Sequence, residues 1–285
     1  MSKNKPINED ENSNPLHGTL VLYATIIHGQ SPLWNDPRQG LTMHWNPETD
    51  LESLQRASLK RNIPISSFLD FSSYDMEIIL DAFRTLIHEL SELGLFQGIS
   101  LNAFIEDLIG SIPPILDNVL SNEQINIQLN GWKESIPPEL LSMIGGALIQ
   151  PSMVYIGSKS NKKYLDAWEL TQCPVCGRMP SIVVKRESEA WRFKCSFCRV
   201  EYKMNLFSCP HCSAKGSDNK EFMLFGDNQA YEVASCHDCN RYYKIINIAK
   251  LEQQIPEGLE DLYTDFLDDL AIEKGLFRID DMTQD

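Results

Sequence analysis

Apolar residues recur at intervals of three and four positions through much of the first 168 residues. Between Ser73 and Leu93 they occur at Met76, Ile79, Leu80, Phe83, Leu86, Ile87, Leu90 and Leu93. This spacing places them on one side of an amphipathic helix. We expect Ser72 or Ser73 to cap the start of this helix and Gly94 to end it.

Two shorter helices are predicted to follow. The first covers Leu101 to Ile109, with Ser100 before it as the capping residue. The second covers Ile115 to Leu120, because Pro113 and Pro114 break the chain ahead of it.

A fourth helix is predicted to begin at Pro138, because proline suits the first turn of a helix, and Pro151 bends or ends it. Leu20 to Gln30 is a further helical candidate. We therefore predict an α-helical domain over residues 18–168, with the polar segment Gly157–Lys163 as a linker to the next region.

The pattern changes beyond this linker. Short segments rich in β-branched and aromatic residues alternate with turns, which is typical of strands. The predicted strands are Ser181–Val184, Ala190–Lys194, Val200–Phe207, Phe222–Phe225, Tyr231–Ser235 and Tyr242–Ile248. Helical spacing returns between Pro256 and Gly275. The predicted division is a disordered lead-in at 1–17, the helical domain, a strand-rich region at 169–250, and an acidic amphipathic C-terminal helix and tail at 251–285.

The composition is typical of a soluble globular protein. The chain has 285 residues, of which 42% are hydrophobic and 23% are charged. The first 15 residues lack the apolar stretch of a secretory signal, and the longest uninterrupted apolar runs are too short to span a bilayer. We expect a cytoplasmic protein without membrane insertion.

All eight cysteines lie in the strand-rich region as four Cys-x-x-Cys pairs. The pairs are Cys173 with Cys176, Cys195 with Cys198, Cys209 with Cys212, and Cys236 with Cys239. In a reducing compartment, clustered cysteines indicate metal ligands or redox thiols rather than structural disulfides. Two such pairs complete a tetrahedral site of four sulfurs, which suits zinc or iron. We predict two metal ions, iron or zinc, each bound by four cysteines.

The gaps between the pairs suggest which pairs share an ion. Gaps of 18 and 23 residues each fit a β-hairpin, whereas the 10-residue gap fits a connecting strand. We therefore predict site 1 from the first two pairs and site 2 from the last two. An internal repeat supports this assignment, because Tyr202 and Tyr243 both lie four residues after a cysteine and both precede a lysine. A cross-braced arrangement, in which the first pair joins the third, is the alternative.

A structural role for both ions is the simplest interpretation, because a hairpin pair this small has little core of its own. A redox or sensing role is the alternative. Thioredoxin-type catalysis is disfavoured, since it requires one Cys-x-x-Cys pair at the start of a helix. His211 and His237 lie inside the cysteine pairs and are interpreted as exposed turn residues. The sequence contains no catalytic signature motif, so we expect no enzymatic activity.

Several motifs in the cysteine region point to a known family. They are Cys-Pro-Val-Cys-Gly-Arg-Met-Pro from Cys173, Lys-Cys-Ser-Phe-Cys from Lys194, Cys-Pro-His-Cys from Cys209, Gly-Asp-Asn-Gln from Gly226, and Ser-Cys-His-Asp-Cys from Ser235. Over about 110 residues this order resembles the formate dehydrogenase accessory protein family, FdhE. Two departures are Tyr202, where the family often has tryptophan, and Asn240, where a glycine is usual.

The resemblance implies an α+β protein with an N-terminal α-helical bundle, two tandem rubredoxin-like or zinc-ribbon-like β-hairpin units, and a C-terminal helix. It also implies a cytoplasmic assembly factor rather than an enzyme. Its partner would be the molybdenum- or tungsten-containing catalytic subunit of a formate dehydrogenase. Carried over by position, the eight cysteines are the metal ligands. Trp191, Phe193, Phe222 and Tyr231 are candidate partner contacts, although packing within the hairpins is the favoured interpretation for each.

Two other functions stay open. A zinc-ribbon nucleic-acid binder would contact phosphates through Lys194, Lys203 and Lys244, although a net charge of −15 disfavours this and we expect no nucleic-acid partner. An iron-dependent electron-transfer or redox-sensing module is the other.

Overall fold

The computed structural model describes residues 49–96, 98–123, 138–187, 190–205, 208–216, 220–225 and 229–280, together with Ile26 and Leu33. Within these residues the helices are α1 (Thr49–Arg61), α2 (Met76–Glu92), α3 (Leu101–Ile109), α4 (Ile112–Ser121), α5 (Pro138–Lys159), α6 (Lys162–Ala167), α7 (Glu260–Tyr263) and α8 (Asp265–Glu273). The strands are β1 (Ile182–Lys185), β2 (Arg192–Lys194), β3 (Glu201–Lys203), β4 (Lys220–Phe225), β5 (Tyr231–Cys236), β6 (Arg241–Asn247) and β7 (Phe277–Arg278). The predicted α+β class is confirmed.

The described residues fall into two compact units. The first contains Phe71–Val119 and residues 138–151, and the second contains residues 49–70, Leu120–Glu123 and residues 152–280. The second unit therefore includes helical residues from before the predicted boundary at 168, together with the whole strand-rich region. The four-part domain division made from the sequence stays a prediction.

The core of the first unit is built from the apolar faces of α2 to α5. Its fully buried side chains include Phe83, Leu86, Ile87, Leu90, Phe104, Leu108, Ile115, Leu116, Ile144 and Leu148. Gly145 allows α4 and α5 to approach closely, because a Cβ at this position would lie 2.6 Å from a methyl carbon of Ile115.

The predicted helices of this part are confirmed, with corrections at their ends. Helix α2 starts at Met76 rather than near Ser73, because the Asp75 side chain accepts the capping hydrogen bonds. Pro113 and Pro114 do not break the chain but lie in the first turn of α4, where proline costs no helical hydrogen bond. The candidate helix Leu20–Gln30 lies outside the described residues, apart from the helical Ile26.

Helix α5 is longer than the sequence indicates. It continues through Pro151 to Lys159, and α6 begins at Lys162 with the Asn161 side chain as its cap. The predicted linker Gly157–Lys163 is therefore wrong, since most of it is helical. By length and composition α5 also meets the requirements of a membrane span, but 67% of its most apolar window is buried within the protein, as in a core helix.

The strands form one sheet in the order β3-β2-β1-β6-β5-β4, and β7 pairs with the start of β6. Strands β1 to β3 make one antiparallel unit, and β4 to β6 make a second. Strands β1 and β6 join the two units in parallel, with Ile182 opposite Lys244 and Val184 opposite Ile246. This junction makes β6 an interior strand, and all of its residues are buried.

The C-terminal segment returns to helix as predicted, but in two pieces. The chain breaks at Thr264 between α7 and α8, and the helical spacing ends at Gly275. Leu267 and Ala271 of α8 are buried together with Val233 and Tyr242 of the sheet. The last helix thus covers one face of the second strand unit.

Candidate metal centres

Each of the four Cys-x-x-Cys pairs lies on its own backbone turn, and the four turns are of the same kind. In every turn, the amide of the residue after the second cysteine donates to the carbonyl of the first cysteine. These hydrogen bonds run from Gly177 to Cys173 (2.9 Å), from Arg199 to Cys195 (2.9 Å), from Ser213 to Cys209 (3.0 Å) and from Asn240 to Cys236 (2.8 Å). The turn points both cysteine side chains of a pair in the same direction.

The residue that closes each turn has a left-handed backbone conformation. Its φ angle is 73° at Gly177, 64° at Arg199, 60° at Ser213 and 53° at Asn240. Glycine and asparagine adopt this conformation most readily. Asn240 therefore meets the same backbone requirement as the glycine that the resemblance leads one to expect.

The turns bring the eight cysteines together as two clusters. The first cluster contains Cys173, Cys176, Cys195 and Cys198, and the second contains Cys209, Cys212, Cys236 and Cys239. These are the sets of the sequential prediction, and the cross-braced pairing does not occur. Each pair of turns is separated by two strands of one antiparallel unit, which explains why gaps of 18 and 23 residues return the chain to its starting point.

The sulfur positions fit a tetrahedral metal site. Within each cluster, all four sulfurs lie within 4.8 Å of one another. Individual Sγ–Sγ distances are 3.3 Å for Cys173–Cys198, 3.4 Å for Cys176–Cys195, 3.7 Å for Cys209–Cys239 and 3.8 Å for Cys212–Cys236. A metal–sulfur bond of about 2.3 Å gives a tetrahedron with edges of about 3.8 Å. Both clusters can hold a metal ion that four thiolates bind, iron or zinc.

The thiol pKa values explain what a cation contributes at these clusters. Burial raises the pKa of the Cys173 and Cys198 thiols well above the usual range, whereas hydrogen bonds from Cys173 and neighbouring thiols lower that of Cys195. In the second cluster, burial raises the pKa of Cys209 to about 11. Four adjacent thiols cannot all ionise without a compensating positive charge, which a bound divalent ion supplies.

The first cluster is enclosed by surrounding chain segments. The amides of Ile65 and Ser66 donate to the carbonyls of Pro174 and Val175, at 2.9 and 2.8 Å. The Tyr164 hydroxyl donates to the Pro174 carbonyl at 2.7 Å. The first turn is therefore held by the 3-10 helix Ile65–Phe68 and by α6, neither of which the sequence linked to the cysteines.

Two glycines let other segments approach the same cluster. A Cβ at Gly157 of α5 would lie 2.8 Å from the Cys198 carbonyl oxygen. A Cβ at Gly177 would lie 2.8 Å from Asn122 Nδ2 and 2.9 Å from Pro64. The Asn122 amide also donates to the Cys176 carbonyl at 3.1 Å. All four first-cluster cysteines are buried as a result.

The second cluster is more open. Cys209 and Cys236 are buried, but Cys239 is half-buried and Cys212 is exposed. His237 is exposed, as predicted, whereas His211 is half-buried, and its amide donates to the Cys209 sulfur at 3.4 Å. The two clusters thus share a backbone design and differ in their surroundings.

The four candidate contact residues have different environments. Phe193 is buried against Tyr202, with ring centroids 5.5 Å apart, so the favoured interpretation, packing within the hairpins, is confirmed for it and its candidacy as a partner contact is wrong. Tyr231 is half-buried and packs edge-on against Phe266. Trp191 stacks edge-on with Phe222, which is 45% exposed. Phe222 is the most accessible of the four.

Two of the three lysines proposed for phosphate contact are buried in ion pairs. Lys194 pairs with Glu260 at 2.9 Å, and Lys244, only 1% exposed, pairs with Asp268 at 2.8 Å. The Tyr242 hydroxyl also donates to Asp268 at 2.8 Å. These pairs tie α7 and α8 to the sheet. No sequence pattern predicts these pairs, because the pattern does not indicate which carboxylates of the acidic C-terminal segment face inward.

Comparison with known proteins identifies the relatives of this chain. No protein-family model matches it. It is 26% identical over 216 residues to a protein FdhE homolog of Aquifex aeolicus, which covers 74% of this chain and 72% of the relative. A protein FdhE homolog of Haemophilus influenzae strain PittEE is 25% identical over 254 residues, covering 77% and 82%.

The chain is similar to FdhE proteins and FdhE homologs of several bacteria. It is also 30% identical to protein FdhE of Escherichia coli K12 over 109 residues, which covers 37% of this chain and 35% of that protein. The crystal structure of the FdhE protein from Pseudomonas aeruginosa has a TM-score of 0.62, with 20% identity over 95% of this chain and 90% of the other. This likeness shows a shared FdhE fold.

Proposed function

We propose that the chain is a non-catalytic accessory protein of a formate dehydrogenase, which acts in the cytoplasm. It would bind the molybdenum- or tungsten-containing catalytic subunit and assist its assembly or activation. The observation that carries this proposal is the match to FdhE proteins along about three quarters of the chain.

The eight cysteines are proposed as the ligands of two metal ions, iron or zinc. The support is geometric, since each cluster presents four sulfurs at separations close to those of a tetrahedral site. An ion at each cluster crosslinks two turns that are far apart in sequence. The cysteines of the first cluster thereby hold β1 to β3 against the helical segments around them.

Nucleic-acid binding is a weaker candidate than partner binding. Lys194 and Lys244 are both engaged with carboxylates, so only Lys203 of the three named lysines is exposed. With a net charge of −15, the chain would repel a phosphate backbone. A salt-sensitive affinity for RNA or DNA at micromolar concentration or tighter would reverse this order.

Affinity purification from the native host tests the main proposal. The tagged full-length chain is expressed in cells that produce formate dehydrogenase, and bound proteins are identified by mass spectrometry. We expect to recover the catalytic subunit of a formate dehydrogenase. Recovery of no subunit of any redox enzyme would contradict the proposal.

Metal analysis of protein purified without oxygen tests the ligand assignment. We expect two metal ions per chain, and a red, reducible preparation would identify iron and favour the electron-transfer alternative. Serine at both Cys173 and Cys176 should remove one ion and unfold the metal region. A double variant that stays folded and keeps both ions would show that the assignment is wrong.

A further inference from the structure

The two clusters differ in their access to solvent, although their turns are alike. The first-cluster cysteines are at most 3% exposed. In the second cluster, Cys212 is exposed and Cys239 is half-buried. These two residues come from different turns, so the open side of the cluster includes one ligand from each.

The enclosure of the first cluster comes from segments outside the sheet. Residues Ile65 and Ser66 bond to one turn, Asn122 bonds to the same turn, and Gly157 of α5 lies against the carbonyl of Cys198. Exposing a sulfur there requires these segments to separate from the turns. Such local opening has its own free energy, and each 1.4 kcal/mol of it slows access about tenfold.

The turns of the second cluster are supported by backbone hydrogen bonds that leave Cys212 exposed. The Cys209 turn closes on itself, because the Cys209 amide donates to the Ala214 carbonyl at 2.8 Å. The Phe277 amide of β7 donates to the Asn240 carbonyl at 2.9 Å. Neither contact removes Cys212 from solvent. Cys212, unlike every cysteine of the first cluster, is therefore exposed to solvent without prior opening of the fold.

We propose that the second cluster is the exchangeable centre of this protein and that the first is a closed structural one. Ligands with sulfur or nitrogen donor atoms, such as thiolates and pyridyl chelators, would gain access through Cys212. With an ion held by Cys209, Cys212, Cys236 and Cys239, the incoming donor atom would supply an electron pair in place of the Cys212 sulfur, and Cys212 would be released as a thiolate that is protonated by solvent. No electron transfer is involved.

This inference rests on the proposal that both clusters bind a metal ion. Zinc-loaded full-length protein is mixed, without oxygen, with the chromogenic chelator 4-(2-pyridylazo)resorcinol. Iodoacetamide is added at successive times to alkylate released cysteines, which are then located by mass spectrometry of peptides. The experiment therefore reports which cluster loses its ion, independently of any partner or activity.

We expect one zinc ion to be released at least about tenfold faster than the other, because the slow site requires local unfolding. Cys209, Cys212, Cys236 and Cys239 should be alkylated in the fast phase. The variant Cys212→Ser lacks one ligand of the second cluster, so it should start with about one zinc ion. It should therefore show the slow phase without the fast one. Alkylation of all eight cysteines at one rate, or of the first cluster first, would overturn the inference while leaving two bound ions. Fewer than two zinc ions in the starting protein would overturn the metal proposal and this inference together.

Discussion

Tyr202 and Tyr243 occupy equivalent positions in the two strand units, but only Tyr202 has a hydrogen-bonded hydroxyl. Each lies four residues after the second cysteine turn of its unit, and both are buried. The Tyr202 hydroxyl donates to the Thr171 carbonyl at 2.6 Å. Among the described residues, the buried Tyr243 hydroxyl has no hydrogen-bond partner. The two strand units thus share a buried tyrosine ring at this position, whereas the surroundings of the two hydroxyls differ.

Substitution by phenylalanine should lower the stability of the protein at Tyr202 but not at Tyr243. Tyr202→Phe leaves the Thr171 carbonyl without its donor and should lower the free energy of unfolding by about 1–3 kcal/mol. Tyr243→Phe removes a buried donor that has no partner, so stability should be unchanged or slightly higher. Urea unfolding of the zinc-loaded variants measures both. A loss at Tyr243 as large as that at Tyr202 would indicate that its hydroxyl has an acceptor, such as a metal-bound sulfur.

Stability should also fall at alkaline pH because of the buried tyrosines. Burial is the main cause of the raised pKa of Tyr164, Tyr202, Tyr242 and Tyr243. Their contribution is complete below the unfolded pKa of about 10 and is lost as pH rises towards the higher folded pKa. Each such tyrosine should add a slope of about −1.4 kcal/mol per pH unit.

Denaturation between pH 8 and 11 measures this slope, and absorbance at 295 nm follows tyrosine ionisation. The variant Tyr243→Phe provides the comparison, because it removes one of these groups and leaves the lysines unchanged. In this variant, the unfolding free energy should fall less steeply with pH, by about 1.4 kcal/mol per pH unit, which is the contribution of one tyrosine. Equal slopes in the two proteins would mean that Tyr243 ionises normally in the folded state.

The close contact of Gly177 should make it intolerant of a side chain. Gly177→Ala introduces both the left-handed backbone penalty and a Cβ within 3 Å of Asn122 and Pro64. Gly275 is the matched control, since its φ of 75° is almost the same and its Cβ would meet nothing within 4 Å. We expect Gly275→Ala to cost about 1 kcal/mol and Gly177→Ala about 2 kcal/mol more. Similar losses at both sites would show that Asn122 and Pro64 move aside.

Removal of the buried lysine should detach the C-terminal helices from the sheet. Lys244→Met removes the ion pair with Asp268 at 2.8 Å. Because Asp268 keeps Tyr242 and Arg278 as partners, the loss should be about 1–3 kcal/mol, that of one charged hydrogen bond. Lys203→Met, at an exposed position, should change stability by less than about 0.5 kcal/mol. Hydrogen exchange should show faster exchange in α7 and α8 of the Lys244 variant. Unchanged exchange there would contradict the anchoring role.

The composition of the two clusters was predictable because it depends on local geometry. A Cys-x-x-Cys turn and a hairpin of known length are both set by short segments, and the repeated Tyr-Lys after Cys198 and Cys239 indicated which turns are equivalent. The start of α2 was less predictable, since Ser73 and Asp75 are both good caps and only the local fold chooses Asp75.

Features that depend on distant contacts were not predictable from the pattern. The segment Gly157–Lys163 looks like a linker because it is polar, yet Gly157 lies against the carbonyl of Cys198. The pairing of β1 with β6 joins strands far apart in sequence, and alternation within each strand does not specify it. The exposure of Cys212 likewise follows from what surrounds the turn and not from the turn itself.

The parallel junction of β1 and β6 has a consequence for synthesis of the chain. Strand β1 leaves the ribosome well before β6, which is the last strand of the second unit. Until β6 emerges, one edge of β1 has no partner and can pair with other chains. The nascent protein would therefore be most prone to aggregation after its first cysteine cluster has formed and before β6, which follows the last cysteine, has emerged.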